Sequence, residues 1–262
     1  MLIDTHCHLD AAEYNADRDA VLDRARAAGV SIIAPSVAAF NFQSTLECKR
    51  YPGVDIALGM HPMYVHQHRE AHLAVLEEMI LQHHPVAIGE IGLDHFQSRI
   101  DRPGVAAEDL QQQEFFFVEQ LKFARKYELP VLLHIRRAND QVLKNLRRIK
   151  PPGGIAHAFN GSMQQAQEYI KLGFKLGFGG AFTYTRATNL RKLATELPLE
   201  SIVLETDGPD IPPEWIAKQR NEPAELPRIA QMLAELRGID ALTVAAQTSA
   251  NAIQVLRLKS SA

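Results

Sequence analysis

Residues that commonly bind metal ions recur along this chain, each placed directly after a short apolar run. Imidazoles predominate among them, and two carboxylates accompany them. The residues are His6, His8, His61, Glu90, His134, His157 and Asp207. Neutral imidazoles and carboxylates are the ligands of borderline and hard divalent cations. The pattern therefore predicts a metal centre, provided that the apolar runs are strands that end at one edge of a sheet.

The first run shows the spacing most clearly, since it reads Leu2-Ile3-Asp4-Thr5-His6-Cys7-His8. On an extended strand alternate side chains share a face, so His6 and His8 point the same way and Cys7 points the opposite way. We expect Cys7 to be a small buried residue. Two adjacent imidazoles make half of a metal site, and the rest must come from later strands.

Apolar runs and helical patterns alternate along the whole chain. Strands are predicted at 31–35, 54–62, 86–94, 130–134, 155–159, 174–178 and 202–207, after the opening run. Helices are predicted at 17–28, 42–50, 71–82, 109–127, 140–148, 163–172, 190–197, 223–236 and 244–256. Eight continuously apolar strands alternating with helices predict an α/β protein with a single (β/α)8 TIM-type barrel, residues 1–262 forming one domain with an extra C-terminal helix. An open doubly wound sheet is the alternative.

The composition excludes several classes of protein. With 262 residues, 46% hydrophobic and 23% charged, the chain can bury a large core and is not a disordered protein. A formal net charge of -3 argues against a broad nonspecific binder of nucleic acid or membrane surfaces. The two cysteines favour a reducing compartment. Without a signal-like or membrane-spanning run, we expect a cytoplasmic protein, a monomer by default.

In a (β/α)8 barrel the carboxyl ends of all strands surround one pocket, so the residues that follow them should converge. Four histidines and two acids, His61 aside, exceed the three protein ligands of a single catalytic metal. They match two ions roughly 3.5–4 Å apart that share a bridging carboxylate. Such a pair lowers the pKa of a bound water and holds the attacking and leaving oxygens of an in-line displacement. Hydrolysis of a phosphate ester is the reaction that this arrangement suits.

These residues also carry a resemblance to a known family. The segments concerned are Ile3-Asp4-Thr5-His6-Cys7-His8, Gly59-Met60-His61-Pro62, Gly89-Glu90-Ile91-Gly92-Leu93-Asp94, His134-Ile135-Arg136, His157-Ala158-Phe159-Asn160-Gly161 and Leu204-Glu205-Thr206-Asp207. Over essentially its full length the chain resembles the TatD family of metal-dependent hydrolases. It departs from the usual family pattern at Asn160 and Gly208, where the pocket wall should differ.

The resemblance implies a TIM-type barrel that holds two divalent ions, Mg, Mn or Zn. His6, His8 and Asp207 would hold one ion. His134 and His157 would hold the other, and Glu90 would bridge the two. Glu90 and Asp207 would be the catalytic residues, Asp207 also orienting or deprotonating the attacking water. Family members are similar to 3′-exonucleases on DNA or RNA, so the implied partner is nucleic acid, preferably at a single-stranded end.

Other polar residues near the strand ends are open to more than one interpretation. His61 precedes Pro62, which cannot continue a strand, and it is expected either to contact a substrate phosphate or to support the other ligands. Arg136 shares a strand face with His134, so a bidentate phosphate contact and an outer salt bridge are both open. Asn221 is interpreted as the N-cap of the next helix. Two further acids, Asp4 and Asp94, could either orient ligating imidazoles or form salt bridges at the rim.

The same residues are compatible with three functions other than that of an exonuclease. An aminoacyl-tRNA ester deacylase would use the same metal centre. An amidohydrolase acting on a cyclic amide is disfavoured, because many such enzymes bridge their metals with a lysine after the fourth strand. The segment 86–96 has Glu90 there and contains no lysine. A purely structural metal site is disfavoured because such sites usually rely on cysteine.

Overall fold

Eight parallel strands form the centre of the protein and follow one another in chain order around the sheet. The computed structural model describes residues 1–258, so the end of the predicted domain at 262 lies outside the described residues. The strands are β1 Leu2–Asp4, β2 Val30–Pro35, β3 Val54–Leu58, β4 Ala87–Asp94, β5 Val131–Arg136, β6 Gly154–Ala156, β7 Phe174–Phe178 and β8 Ile202–Leu204.

Helices lie between successive strands and cover the outside of the sheet. They are α1 Arg18–Ala27, α2 Phe42–Cys48, α3 Ala71–His83, α4 Ala107–Lys126, α5 Asn139–Ile149, α6 Met163–Lys171, α7 Thr188–Glu196, α8 Leu226–Arg237 and α9 Ala241–Leu256. The two that follow β8 include the predicted extra helix, α9. Among residues 1–258, no helix is long and apolar enough to cross a membrane.

Main-chain hydrogen bonds just beyond the strand ends join β8 to β1 and close the barrel. The Thr5 N–H donates to the Leu204 carbonyl at 3.1 Å, and the Asp207 N–H donates to the His6 carbonyl at 2.8 Å. Cys7 and Gly208 form an isolated parallel bridge there. We call this junction, from residue 4 to 8 and from 204 to 208, the β1–β8 seam. The (β/α)8 prediction is confirmed, and the open sheet was the wrong alternative.

A layer of apolar side chains fills the end of the barrel opposite the candidate ligands. Strands β1 to β6 and β8 contribute to one buried cluster with two residues of α9. Its buried members are Ile3, Ile33, Ala57, Ala87, Leu132, Ile155, Val203, Ala252 and Leu256. The extra helix therefore closes the base of the barrel, and Asn251 fixes it by donating to the carbonyls of Leu199 and Ile202 at 2.8 and 2.7 Å. This leaves the carboxyl ends of the strands, the mouth of the barrel, as the open end.

Three strands end earlier than predicted. β6 and β8 stop at Ala156 and Leu204 because the chain soon turns into left-handed conformations that cannot continue a strand, with φ of 43° at Ala158 and 58° at Asp207. β3 stops at Leu58, and a 3-10 turn, Pro62–Gln67, begins directly after His61. The residues past these strand ends are those that enter the mouth.

Candidate metal centre

Glu90 lies at the middle of the mouth, on β4, with only 1% of its surface exposed. One carboxylate oxygen, Oε2, faces the residues of the β1–β8 seam. It lies 3.1 Å from His6 Nε2 and 3.4 Å from His8 Nε2. Asp207 Oδ1 lies 3.8 Å from both of these nitrogens. The two histidines of the opening strand thus meet both predicted carboxylates at one point.

The other carboxylate oxygen of Glu90, Oε1, faces a second set of imidazoles. His134 Nδ1 lies 3.1 Å from it, His61 Nε2 lies 3.2 Å from it, and His157 Nε2 lies 3.7 Å from it. His157 Nε2 is also 3.7 Å from Asp207 Oδ1, so it stands between the two carboxylates. The other five predicted ligands and His61 therefore converge around the single buried carboxylate of Glu90.

The donor atoms fit divalent cations. Three groups bring their ligand atoms within 4.8 Å of one another: His6, His8 and Glu90; His6, His157 and Asp207; and His61, Glu90 and His134. Imidazole nitrogens and carboxylate oxygens are the donors that zinc, manganese and similar ions accept. His61, which the sequence placed at the substrate, shares the last of these groups.

Burial and neighbouring charges set the protonation of the cluster. Although burial opposes its ionisation, the surrounding imidazoles hold the pKa of Glu90 well below its usual range. Burial lowers the pKa of His6 to about 3 and that of His61 to about 4, so both rings are neutral at pH 7. Against the effect of burial, neighbouring carboxylates raise the pKa of His8 to about 9 and that of His157 to about 10. An ionised carboxylate and neutral imidazoles are the forms that bind a metal, and any bound proton is released when the metal enters.

Asp94 holds His134 in place, which agrees with the expectation that this acid could orient a ligating imidazole. Its Oδ2 lies 3.0 Å from His134 Nε2, which leaves the other ring nitrogen, Nδ1, facing Glu90. Its Oδ1 accepts the main-chain N–H groups of Phe96 and Gln97 at 2.8 and 2.7 Å. A carboxylate behind an imidazole fixes the orientation of the ring and raises its basicity as a ligand.

The interpretation of Asp4 as a similar support for an imidazole is wrong. Its carboxylate accepts the main-chain N–H of Thr206 at 2.9 Å, the hydroxyl of Thr206 at 2.5 Å and the N–H of His6 at 3.2 Å. These contacts tie the end of β8 to the end of β1. Burial raises the pKa of Asp4 to about 7. Asp4 acts on the main chain of the β1–β8 seam rather than on a ring.

Glu205, rather than Asp4, lies behind a candidate imidazole ligand. The sequence analysis did not predict this role for Glu205. Its Oε1 lies 3.2 Å from His157 Nδ1 and also accepts the main-chain N–H of Ala158. A Cβ at Gly177 would overlap this carboxylate, so the glycine provides its space. The available signal was that Glu205 directly follows the apolar residues 202–204. A charge at the end of a buried strand requires a partner, which indicates a role at the site.

Asn221 was predicted as a helix N-cap, and this prediction is wrong. The side chain is fully buried, and its Nδ2 donates to the carbonyls of Thr206, Asp210 and Ile211. Its Oδ1 accepts the N–H of Glu222. These bonds fold the loop after β8 back on itself and hold Asp207 at the mouth.

Arg136 is exposed at the end of β5. Its guanidinium carbon lies 3.9 Å from the centroid of the Phe96 ring, and that of Arg137 lies 4.4 Å from it. Two cations therefore stand on one side of the mouth, beside the Asp94 and His134 pair.

Comparison with known proteins places the chain in a family. The family model described as TatD related DNase matches residues 3–257. The chain belongs to the TatD family. Its fold agrees with the crystal structure of YjjV, a TatD homologue from Escherichia coli K12, with a TM-score of 0.91, 37% identity and 98% of each chain covered.

The names of two relatives differ in whether they state a substrate. The uncharacterized metal-dependent hydrolase YjjV of Escherichia coli K12 is 42% identical over 241 residues, which cover 90% of each chain. The 3′-5′ ssDNA/RNA exonuclease TatD of Escherichia fergusonii is 32% identical over 259 residues, 95% of this chain and 96% of that one. This protein is a metal-dependent hydrolase of the TatD family.

Proposed function

We propose that the enzyme hydrolyses phosphodiester bonds at single-stranded ends of nucleic acid, as a 3′-exonuclease that acts on DNA, with RNA as the alternative substrate. The observation that carries the proposal is the position of Glu90. Each of its oxygens faces a different set of imidazoles, which is what a carboxylate shared by two cations requires. The 3′-5′ exonuclease name of the Escherichia fergusonii relative supports the substrate.

The ligands divide between two ions in this proposal. His6, His8 and Asp207 would hold one, His134 and His157 would hold the other, and Glu90 would contribute to both. Divalent ions held there would supply a water of lowered pKa and stabilise charge on the attacking and leaving oxygens. Glu90 and Asp207 are the catalytic carboxylates.

Residues of the chain itself position the substrate and move the proton. The Asp207 side chain keeps 12% of its surface exposed at the mouth, so its carboxylate can orient the attacking water and accept a proton from it. His61 and Arg136 contact the phosphate, Arg136 through a guanidinium suited to two parallel hydrogen bonds. Asp94 and Glu205 keep the rings of His134 and His157 in their binding orientations.

A metal-titrated nuclease assay tests the proposal. Single-stranded DNA and RNA, labelled at the 3′ or the 5′ end, are incubated with Mg²⁺, Mn²⁺ or Zn²⁺ and with wild-type protein or Glu90→Gln. We expect stepwise loss of nucleotides from the 3′ end with the wild type only. Absence of nucleotide release with all three metals, or equal release by Glu90→Gln, contradicts the proposal. Release of a D-amino acid from charged tRNA by the same preparation, without nucleotide release, would identify a deacylase instead.

A further inference from the structure

An exposed aromatic side chain stands at the mouth with no structural task. Phe40 lies in the 3-10 turn Ala39–Asn41 between β2 and α2, and 61% of its surface is exposed. Its ring meets the Tyr64 ring edge to face, with centroids 5.6 Å apart and an interplanar angle of 62°. Phe40 and Tyr64 together form an exposed aromatic surface beside the candidate active site, where a single exposed ring alone would need no explanation.

Tyr64 connects this residue to the candidate metal centre. Its own ring meets His61 edge to face, with centroids 6.0 Å apart and an interplanar angle of 77°. His61 Nε2 is the atom that lies 3.2 Å from Glu90 Oε1. Two ring contacts therefore lead from the bridging carboxylate to the exposed Phe40. A substrate held at the candidate metal centre can place an adjacent aromatic group on the rings of Phe40 and Tyr64.

The charges around the mouth indicate which part of a substrate the pair suits. The carboxylate of Asp10 lies beside the turn that carries Phe40, where it accepts from Asn41 Nδ2 and from Thr45 Oγ1 at 3.0 Å each, so this side of the mouth carries an acid. The two arginines that stack on Phe96 lie at the end of β5, two strands along the sheet from β3, whose following turn carries Tyr64. A phosphate is favoured on the side of the arginines, whereas an uncharged base is tolerated beside carboxylates.

We propose that Phe40 and Tyr64 form a stacking platform for an unpaired base next to the scissile phosphodiester. The proposal rests on the proposed function and adds the part of the substrate that is recognised. Proteins that bind single strands stack bases on aromatic side chains, a contact open to any base because every base has a π face. Bases inside a duplex are already stacked and paired, so the platform selects single-stranded ends.

Substitution at the exposed ring separates stacking from folding. Phe40→Ala removes the aromatic ring, and Phe40→Trp keeps an aromatic face at this position. The matched control is Phe115→Ala, because Phe115 is also exposed, at 41%, and meets Phe116 edge to face at 5.2 Å, but it lies on α4 outside the barrel. The substrates are a single-stranded DNA oligonucleotide and two versions in which the last or the penultimate 3′ nucleotide lacks its base.

We expect Phe40→Ala to lower kcat/KM on the intact oligonucleotide by about 5- to 150-fold, the range expected for one stacked base. It should have no effect on the version that lacks the stacked base. Phe40→Trp should restore the rate, and Phe115→Ala should match the wild type. If wild-type protein releases nucleotides and Phe40→Ala does so equally well from all three oligonucleotides, the platform is excluded and the proposed function stands.

A binding measurement tests the platform without turnover. An oligonucleotide with phosphorothioate linkages, which resist hydrolysis, carries the fluorescent base 2-aminopurine at the last or the penultimate 3′ position. Quenching by wild-type protein that Phe40→Ala loses supports the platform even if no substrate is hydrolysed, in which case the proposed function alone fails. If the wild type neither releases nucleotides nor quenches the probe at either position, both proposals are overturned.

Discussion

Glu90 faces two groups of imidazoles, and the fold holds His6 and His8 in one group by different means from His134 in the other. On the side of Oε2, His6 and His8 lie beyond the end of β1, and Asp207 lies beyond the end of β8. The main chain of this β1–β8 seam is fixed by its own hydrogen bonds and by the buried side chains of Asp4 and Asn221. On the side of Oε1, His134 lies within β5, paired with Gly92 in the ladder between β4 and β5.

This difference predicts that a substitution on one side mainly lowers the stability of the protein, whereas a substitution on the other side mainly disturbs the orientation of a metal ligand. At the β1–β8 seam, a carboxylate that binds main-chain and hydroxyl groups holds both strand ends, so its loss should destabilise the protein and the site together. On the other side, the ladder positions His134, and Asp94 orients the ring through Oδ2 while its Oδ1 accepts two main-chain N–H groups. Loss of the Asp94 charge alone should therefore weaken metal binding with little effect on folding. The following predictions test this contrast.

Replacement of Glu90 should have the largest effect because this residue serves both sides. Glu90→Gln keeps the size of the side chain but removes the charge that two cations would share. We expect hydrolysis to fall by more than about a thousandfold, as loss of several kcal/mol of metal-dependent stabilisation would cause. Steady-state assays with saturating metal measure this, and circular dichroism checks the fold. A variant with more than a tenth of the wild-type rate would contradict the central role of this carboxylate.

Asp4→Ala should chiefly destabilise the protein. The substitution leaves the buried N–H of Thr206 without its acceptor and removes a second bond to the hydroxyl. We expect the free energy of unfolding to fall by about 2–4 kcal/mol, measured by denaturant titration. Asp4→Asn is the matched control, since its carbonyl can still accept the N–H, and it should stay within about 1 kcal/mol of the wild type. An Asp4→Ala protein as stable as the wild type would refute the account of the β1–β8 seam.

Asp94→Asn should show the opposite pattern. The asparagine oxygen can still accept the N–H groups of Phe96 and Gln97, but the amide nitrogen that then faces His134 Nε2 cannot accept a hydrogen bond from it. We expect metal affinity to fall by about 10- to 100-fold, while the free energy of unfolding changes by less than about 1 kcal/mol. Isothermal titration calorimetry and denaturant titration measure the two quantities. Equal losses in both would remove the distinction between the two sides.

Glu205→Gln should have the smallest effect. Glutamine can keep the hydrogen bond from the Ala158 N–H and loses only the charge beside His157 Nδ1. We expect metal affinity to fall by about tenfold, and the same calorimetric titration measures it. The variant's affinity should exceed that of Asp94→Asn. A loss beyond that of Asp94→Asn would mean that His157, not His134, is the more dependent on its supporting acid.

The sequence was informative where function depends on residue type at a strand end. The candidate ligands follow apolar runs, so their convergence and the barrel could both be predicted, as could the support of His134 by Asp94. Asp4, Glu205 and Asn221 were misread or missed because their partners lie across the β1–β8 seam or in a neighbouring loop. Asp4 and Thr206 are 202 residues apart in the chain. No local pattern indicates which segments meet there.

Anomalous X-ray diffraction from crystals loaded with Mn²⁺ or Zn²⁺ tests the central claim most directly. The claim is that one carboxylate, Glu90, is shared by two cation sites that the two sides of the mouth complete. Two anomalous peaks are predicted, one against Oε2 beside His6 and His8, the other against Oε1 beside His134. A single peak, or peaks that do not contact Glu90, would contradict it.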